Sequence, residues 1–127
     1  MNYLLDSDVI IYHLRNKKSL EKVWVEHGAI SIVTQAELLY GVYKSANVTD
    51  NLTILNNFIA DFHIKIIGLN EEIIHLYAQT KTLLEKKGER LDEFDLLIGS
   101  TAVINHLTLA TNNKSHFKRI PNLTIAS

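Results

Sequence analysis

The sequence contains no cysteine, a single proline and no apolar run long enough to cross a membrane. Without cysteine, neither a disulfide scaffold nor a cysteine-ligated zinc site can form. A membrane helix needs about 18 consecutive apolar residues, and the N-terminal residues lack a basic segment followed by an apolar one. These absences disfavour a secreted or membrane protein and predict a protein of the cytoplasm.

A strong net charge is also absent, because 13 basic and 14 acidic residues give a net charge of −1. Bulk electrostatics therefore gives no argument for nucleic-acid binding. Two local basic clusters do occur, one in the middle of the chain and one near its end: Lys81, Lys86, Lys87 and Arg90, and Lys114, Lys118 and Arg119. A solvated helix face explains such clusters more often than RNA binding does, and both interpretations stay open.

Apolar residues make up 46% of the 127 residues, which is enough for one domain with its own core. Five short runs rich in leucine or β-branched residues predict strands at Tyr3–Leu5, Ala29–Val33, Ile64–Ile67, Leu107–Ala110 and Leu123–Ala126. Most of them do not alternate with polar residues, as expected of strands covered on both faces.

Helical patterns separate these runs: Asp8–Arg15, Ser19–His27, Thr34–Ala46, Thr49–Ala60, a long stretch from Asn70 to Gly88, and Asp95–Asn105. Strands that alternate with helices predict a parallel sheet with helices on both faces. The expected fold class is therefore α/β, with a central, mostly parallel five-stranded sheet flanked by helices.

The stretch LLDSDVII places two aspartates inside an otherwise apolar run. Ionised carboxylates are rarely buried without partners, so something must compensate Asp6 and Asp8. One interpretation is that Ser7 or Asp8 caps a helix. The other is that Asp6 belongs to a cation site.

Polar residues distant in sequence are expected to meet at one edge of the sheet, because the carboxyl ends of parallel strands lie together. Asp6 follows the first strand, and Glu37 lies in the first turn of the helix after the second. Asn112 and Asn113 follow the fourth strand, and Asp95 begins the helix that leads into it.

Each of these residues also has a purely structural interpretation. Thr34 and Glu37 form the T-x-x-E pattern of a capping box. Asp92 can cap the helix in which Asp95 favours the dipole, and asparagines are common in turns. Asp6 can accept hydrogen bonds from the helix that follows it.

Considered together, the carboxylates indicate a metal site. Three of them close together would repel one another and raise their pKa values, and no lysine or arginine lies within a few residues of Asp6 or Glu37. Mg²⁺ or Mn²⁺ suits such oxygen ligands. Zinc fits less well because the six histidines lack ligand-pair spacing; only His116 lies near the expected acidic edge.

Four blocks, LLDSDVIIYHL, TQAELLYG, FDLLIGSTAVINHLTLATNN and HFKRIPNL, resemble the PIN-domain ribonucleases, and within them the VapC-type toxins of prokaryotic toxin–antitoxin pairs. The likeness covers the whole chain, so residues 1–127 are expected to form a single PIN domain. It implies that the catalytic set is Asp6, Glu37, Asp95 and Asn113. Many relatives have aspartate where this chain has Asn113, and the asparagine removes one negative charge.

The resemblance further implies an endoribonuclease that depends on Mg²⁺ or Mn²⁺ and cleaves RNA with an activated water. Asp6, Asp95 and Glu37 would be the metal residues, Glu37 would orient or deprotonate the water, and Asn113 would hold a water or a phosphate oxygen. It also implies a VapB-type antitoxin that silences the protein, and a homodimer.

Two other functions remain open. A PIN fold with weak or no catalysis could act as a binding module, and Asn113 is the one residue that favours this alternative. Asp6-Ser7-Asp8-Val9 also matches D-x-D-x-[TV], the opening of aspartyl-phosphate phosphatases, in which Asp6 would be a nucleophile and Asp8 a general acid. That reading lacks a clear lysine partner.

Overall fold

A computed structural model of the chain describes residues 2–126. Four strands form one parallel sheet in the order β3-β2-β1-β4: β1 (Tyr3–Leu5), β2 (Gly28–Ser31), β3 (Lys65–Ile67) and β4 (Thr108–Ala110). The N-terminal strand is therefore central, with β2 and β4 on either side of it. The predicted α/β class with a parallel sheet is confirmed.

The predicted fifth strand, Leu123–Ala126, is wrong as a full strand. It makes an isolated parallel bridge between Leu109 and Ile125, supported by a hydrogen bond from Ala126 N to Leu109 O at 2.8 Å. The preceding turn contains Pro121, which has no N–H to donate, and Asn122 with a φ of 66°. The extended stretch after this turn is therefore short, and the sheet has four strands.

Seven helices lie in residues 2–126: α1 (Ser7–Leu14), α2 (Lys22–Glu26), α3 (Ile32–Tyr43), α4 (Val48–Asp61), α5 (Glu71–Lys86), α6 (Glu93–Ile104) and α7 (Lys114–Phe117). The first six match the predicted helices with shifted ends. The sequence does not predict α7, because four residues are too few to give a helical period. None of the helices in the described part of the chain is long and apolar enough to span a membrane.

The boundary between β2 and α3 lies two residues earlier than predicted. Ser31 ends the strand, and its Oγ accepts a hydrogen bond from Val33 N at 3.0 Å, which caps α3. Ile32 and Val33 are β-branched and favour a strand in isolation, but here they form the first turn of the helix.

Both faces of the sheet are buried, as the apolar strands predict. Leu5 and Ile30 pack in one cluster with residues of α1, α3 and α4, while Leu4 and Ala29 pack in another with α6 and α7. Gly99 of α6 permits close packing of the C-terminal segment, since a Cβ there would lie 2.3 Å from Ile120 Cδ1. The helices thus cover the sheet faces and leave the carboxyl ends of the strands open.

Candidate active site

Asp6 lies directly after β1 and is only 5% exposed. It is the N-cap of α1: its Oδ1 accepts a hydrogen bond from Ser7 N at 2.8 Å, and its Oδ2 accepts one from Thr111 Oγ1 at 2.8 Å. The expectation that Ser7 or Asp8 caps this helix is therefore wrong, whereas the expected backbone donor to Asp6 is present. The buried carboxylate of Asp6 is thus hydrogen-bonded to Thr111, the residue that follows β4.

Glu37 faces the same region from α3. Its Oε1 accepts a hydrogen bond from Ser7 Oγ at 3.3 Å, so Ser7 contacts both Asp6 and Glu37. The capping-box interpretation is wrong: Ser31 caps α3, which puts Glu37 in its second turn, not its first. Thr34 does not cap; its Oγ1 is buried without a hydrogen-bond partner in residues 2–126.

Asp95 is the third residue of α6 and is half-buried. The cap of this helix is Asp92, as predicted, because Asp92 Oδ2 accepts a hydrogen bond from Phe94 N at 3.1 Å. Asp95 therefore does not cap α6, because Asp92 does.

Asn113 begins α7 as its N-cap residue, without a side-chain capping bond. Its backbone N donates to Thr111 Oγ1 at 2.9 Å, and its Nδ2 lies 3.0 Å from His116 Nδ1. The amide of Asn113 therefore pairs with His116, while Thr111 makes the contact with Asp6.

Burial is the main cause of raised pKa values at this edge. It raises the pKa of Asp6 to about 7, and the charges of Asp8 and Asp95 add to the effect. The pKa of Glu37 is raised by burial and then by the charge of Asp95. Burial and Asp92 raise the pKa of Asp95, while His116 opposes the shift.

Within residues 2–126 no lysine or arginine forms an ion pair with these carboxylates, and only the charge of His116 acts against the raised pKa of Asp95. The ion pairs found in residues 2–126 involve Glu26, Glu93 and Glu85 instead. Acidic groups that are partly buried, mutually repelling and unpaired are destabilising unless a cation or a proton compensates them.

The donor set fits a hard divalent cation in charge and in atom type, since all of its donors are oxygens. No three histidine or acidic side chains in residues 2–126 are close enough together to hold an ion directly. Mg²⁺ usually keeps several of its waters, so Asp6, Glu37 and Asp95 can hold it across a partly retained water shell. The residues therefore fit the ion that the sequence predicts in charge and in donor atoms, but not as three direct ligands within the described part of the chain.

Asp8 is a further carboxylate at this edge, although its sequence context suggests only a helix cap or a phosphatase acid. Its Oδ2 accepts a hydrogen bond from Asn112 N at 3.1 Å. The signal for this contact lies in the chain order, because residues just after two paired neighbouring strands, β1 and β4, must lie side by side.

The two sides of the acidic edge differ. On the side of α1, α3 and α4 lies a mostly apolar groove of about 200 Å³, lined by Ile11, Leu14, Arg15, Glu37, Leu38, Gly41, Val42, Lys44, Ser45, Asn51, Ile54 and Leu55. On the side of α6 and α7, Arg119 Nη1 donates a hydrogen bond to Arg90 O at 3.1 Å. This contact joins the two basic clusters that are separate in sequence.

The chain is similar over nearly its whole length to known proteins. A family model for the PIN domain matches residues 3–123. Ribonuclease VapC2 of Rickettsia felis is 36% identical over 131 residues, covering 98% of this chain and 96% of the relative. The tRNA(fMet)-specific endonuclease VapC of Salmonella typhimurium is 26% identical over 129 residues, covering 98% and 96%.

A solved structure matches over a similar extent. A chain in the crystal structure of VapBC2 from Rickettsia felis, bound to a DNA fragment from their promoter, superposes with a TM-score of 0.89 and 33% identity. The match covers 99% of this chain and 98% of that chain.

Proposed function

The chain belongs to the PIN-domain family and, within it, to the VapC ribonucleases; from this we propose that it is a metal-dependent endoribonuclease, the toxin of a VapBC-type pair. The observation that carries the proposal is a set of partly buried carboxylates, Asp6, Glu37 and Asp95, with raised pKa values and no lysine or arginine ion pair in the described part of the chain. A binding module without catalysis would not need to maintain such unfavourable charges.

We propose that Asp6 and Asp95, with Glu37, hold Mg²⁺ or Mn²⁺. When bound, the ion lowers the pKa of water and offsets charge that develops on the phosphate. Glu37 accepts a proton from the attacking water, a role that suits a carboxyl group whose pKa burial has raised. Asn113 holds a water or a phosphate oxygen through its amide.

The direct test is cleavage of purified initiator tRNA and of total RNA with Mg²⁺, with Mn²⁺ and with EDTA. Glu37→Gln should lose about 10²–10⁴-fold in rate because it removes a general base. Asp61→Asn is the matched control, since Asp61 is exposed and ends α4, near the opposite edge of the sheet. Cleavage that persists in EDTA would contradict the metal requirement.

The same assay separates the alternatives. RNA that binds without being cut would favour the non-catalytic PIN module. Hydrolysis of an aryl phosphate that depends on Asp8 would favour the phosphatase. The Salmonella relative is named for its action on tRNA(fMet), so that tRNA is a reasonable first substrate.

The basic residues beside α6 and α7 support RNA as the substrate. Arg90 and Arg119 are in contact, and Lys114 and Lys118 belong to the short segment that follows Asn113. Phosphate contacts made by such residues are sensitive to salt, so Arg119→Gln should weaken RNA binding and reduce its salt dependence. This effect should be similar for different RNA sequences.

The apolar groove beside Glu37 supports a protein partner, and we propose that a segment of a VapB-type antitoxin binds there and blocks the acidic edge. Ile54 lines the groove and is 46% exposed, so Ile54→Glu should abolish copurification with the antitoxin encoded next to this gene. Ile74→Glu is the control, because Ile74 is 42% exposed and lies on α5, outside the groove.

Residues 1–127, whose end residues lie outside the described part, form one PIN domain that assembles as a homodimer in the cytoplasm. Tyr40 and Tyr43 support association, as they lie on α3 with exposures of 67% and 63%. Light scattering during size-exclusion chromatography measures the mass, and a monomer at micromolar concentration would contradict the dimer.

A further inference from the structure

A shallow crevice lies beside the acidic edge, between α1 and the segment that joins α1 to α2. Its lining includes Tyr12 of α1, Lys18 and Glu21 of the joining segment, and Asn112 of the loop after β4. Asn112 also donates its backbone N–H to Asp8 Oδ2 at 3.1 Å. The crevice is therefore directly continuous with the acidic edge through Asn112.

Tyr12 offers an aromatic ring to solvent in this crevice, with 43% of its surface exposed. It follows Asp8 by four positions in α1, so the two side chains lie on the same face of the helix, with their Cβ atoms about 5–6 Å apart. Trp24, the other aromatic residue of the crevice, is half-buried and packs against the core. An accessible ring thus lies one helical turn from the acidic edge.

The joining segment is held against the end of α1 by hydrogen bonds. Lys17 N donates to Tyr12 O at 2.9 Å, and Leu20 N donates to His13 Nδ1 at 3.2 Å. The side of the crevice that faces Tyr12 is therefore already formed in the protein without a ligand.

The charges of the joining segment favour a nucleic-acid strand. Residues 15–21 contain three exposed basic side chains and one exposed acidic side chain: Arg15, Lys17, Lys18 and Glu21. The basic side chains suit the phosphates of a strand, whereas Glu21 repels phosphate from the crevice itself and leaves it to a neutral base. The crevice has a volume of about 20 Å³, little more than one water needs, so a base must lie across its mouth, against Tyr12.

We propose that Tyr12 is a stacking site for one unpaired base of the bound RNA, next to the nucleotide whose bond is cleaved. The inference rests on the proposed function, because it locates one base of that substrate. Lys18 contacts the adjoining phosphate, and the edge of the base faces Asn112. Stacking on a side chain needs a base with a free face, so this site binds single strands and loops and not the interior of a duplex.

The test uses the RNA that the wild type cleaves, with its cleavage site mapped. Binding of this labelled RNA to the full chain is measured by fluorescence anisotropy in EDTA, which prevents metal-dependent cleavage. Tyr12→Leu keeps an apolar side chain and a good helix former but removes the ring. We expect it to bind about 5–100-fold more weakly, the range for the loss of one stacked base. Tyr12→Phe is the matched control, since it keeps the ring and should stay within a few-fold of wild-type affinity.

A set of abasic RNAs separates stacking from a change in folding. Each RNA lacks one base near the cleavage site, and one of them should bind the wild type and Tyr12→Phe more weakly than the intact RNA does. The same abasic RNA should bind Tyr12→Leu as the intact RNA does, because the two changes remove one interaction.

Three results would overturn the inference: wild-type affinity in Tyr12→Leu, an equal loss in Tyr12→Phe, or abasic RNAs that all bind the wild type like the intact RNA. If the wild type cleaves RNA and one of these results is found, the inference alone fails. If the wild type neither binds nor cleaves RNA, the proposed function fails with it.

Discussion

Glu93 and Asp95 are two residues apart in the first turn of α6, yet their environments differ in kind. Glu93 is exposed, and hydrogen bonds from Lys81 and then Tyr77 lower its pKa. Asp95 is half-buried, and burial and the charge of Asp92 raise its pKa. The helix dipole favours negative charge at both positions, so the neighbours cause the difference. Glu93 is neutralised within the chain, whereas the charge of Asp95 is opposed only in part, by His116.

The largest expected effect tests this difference directly. Asp95→Asn should reduce RNA cleavage more than about 100-fold, since changes beyond the direct ligands alone cost 10–100-fold. Glu93→Gln should cleave like the wild type, because its charge is already paired. Both rates can be measured with one labelled RNA and Mg²⁺. Full activity in Asp95→Asn would mean that the third acidic residue is misassigned.

The second-largest expected effect is that of Asp6→Asn on the free energy of unfolding. An acid with a folded pKa of about 7 and an ordinary value of 3.8 binds more protons when folded, so the wild type loses stability as pH rises across that interval. Asp6→Asn removes this cost and can still cap α1. In EDTA at pH 8 it should be more stable by roughly 1–4 kcal/mol, since one pKa unit is worth about 1.4 kcal/mol.

Urea unfolding at pH 5 and pH 8 measures this effect. The gap between Asp6→Asn and the wild type should be smaller at pH 5 and grow toward pH 7, because pH 5 lies between the ordinary pKa of 3.8 and the folded pKa of about 7. Adding Mg²⁺ at pH 8 should stabilise the wild type and leave Asp6→Asn nearly unchanged. A wild-type stability that is level between these pH values would contradict the raised pKa.

The smallest effect is expected when Glu93, whose charge is paired within the chain, loses its partner Lys81. Lys81→Met removes a cationic partner of Glu93 and leaves that carboxylate exposed to water. Exposed ion pairs contribute little to stability, so the melting temperature should change only slightly and cleavage should not change at all. A large loss of activity would show that the α5–α6 face takes part in the reaction.

The sequence predicts the four strands of the sheet and most helices, because strands covered on both faces are apolar runs and the longer helices keep a helical period. It adds a fifth strand at Leu123–Ala126 that makes only an isolated bridge. It fails where a local contact decides the outcome. The hydrogen bond from Val33 N to Ser31 Oγ ends β2 early, and this single bond shifts Glu37 from the first to the second turn of α3.

The site is predicted as far as chain order allows. Chain order predicts Asp6, Glu37 and Asp95 at one edge because parallel strands end together. In the structure Ser7 contacts both Asp6 and Glu37, and burial and, to a lesser extent, the charge of Asp95 raise the pKa of both. Their role in a metal site stays a prediction. The amide of Asn113 depends on side-chain direction, which no spacing reveals, because it turns to His116.

The central position of β1 has a consequence for biosynthesis. Asp6 is among the first residues that a ribosome adds, but its partner Thr111 is 105 positions later. Neither a nascent chain nor a truncated product that stops before this threonine can complete the acidic edge. A chain released before Thr111 is added therefore leaves Asp6 without this hydrogen bond.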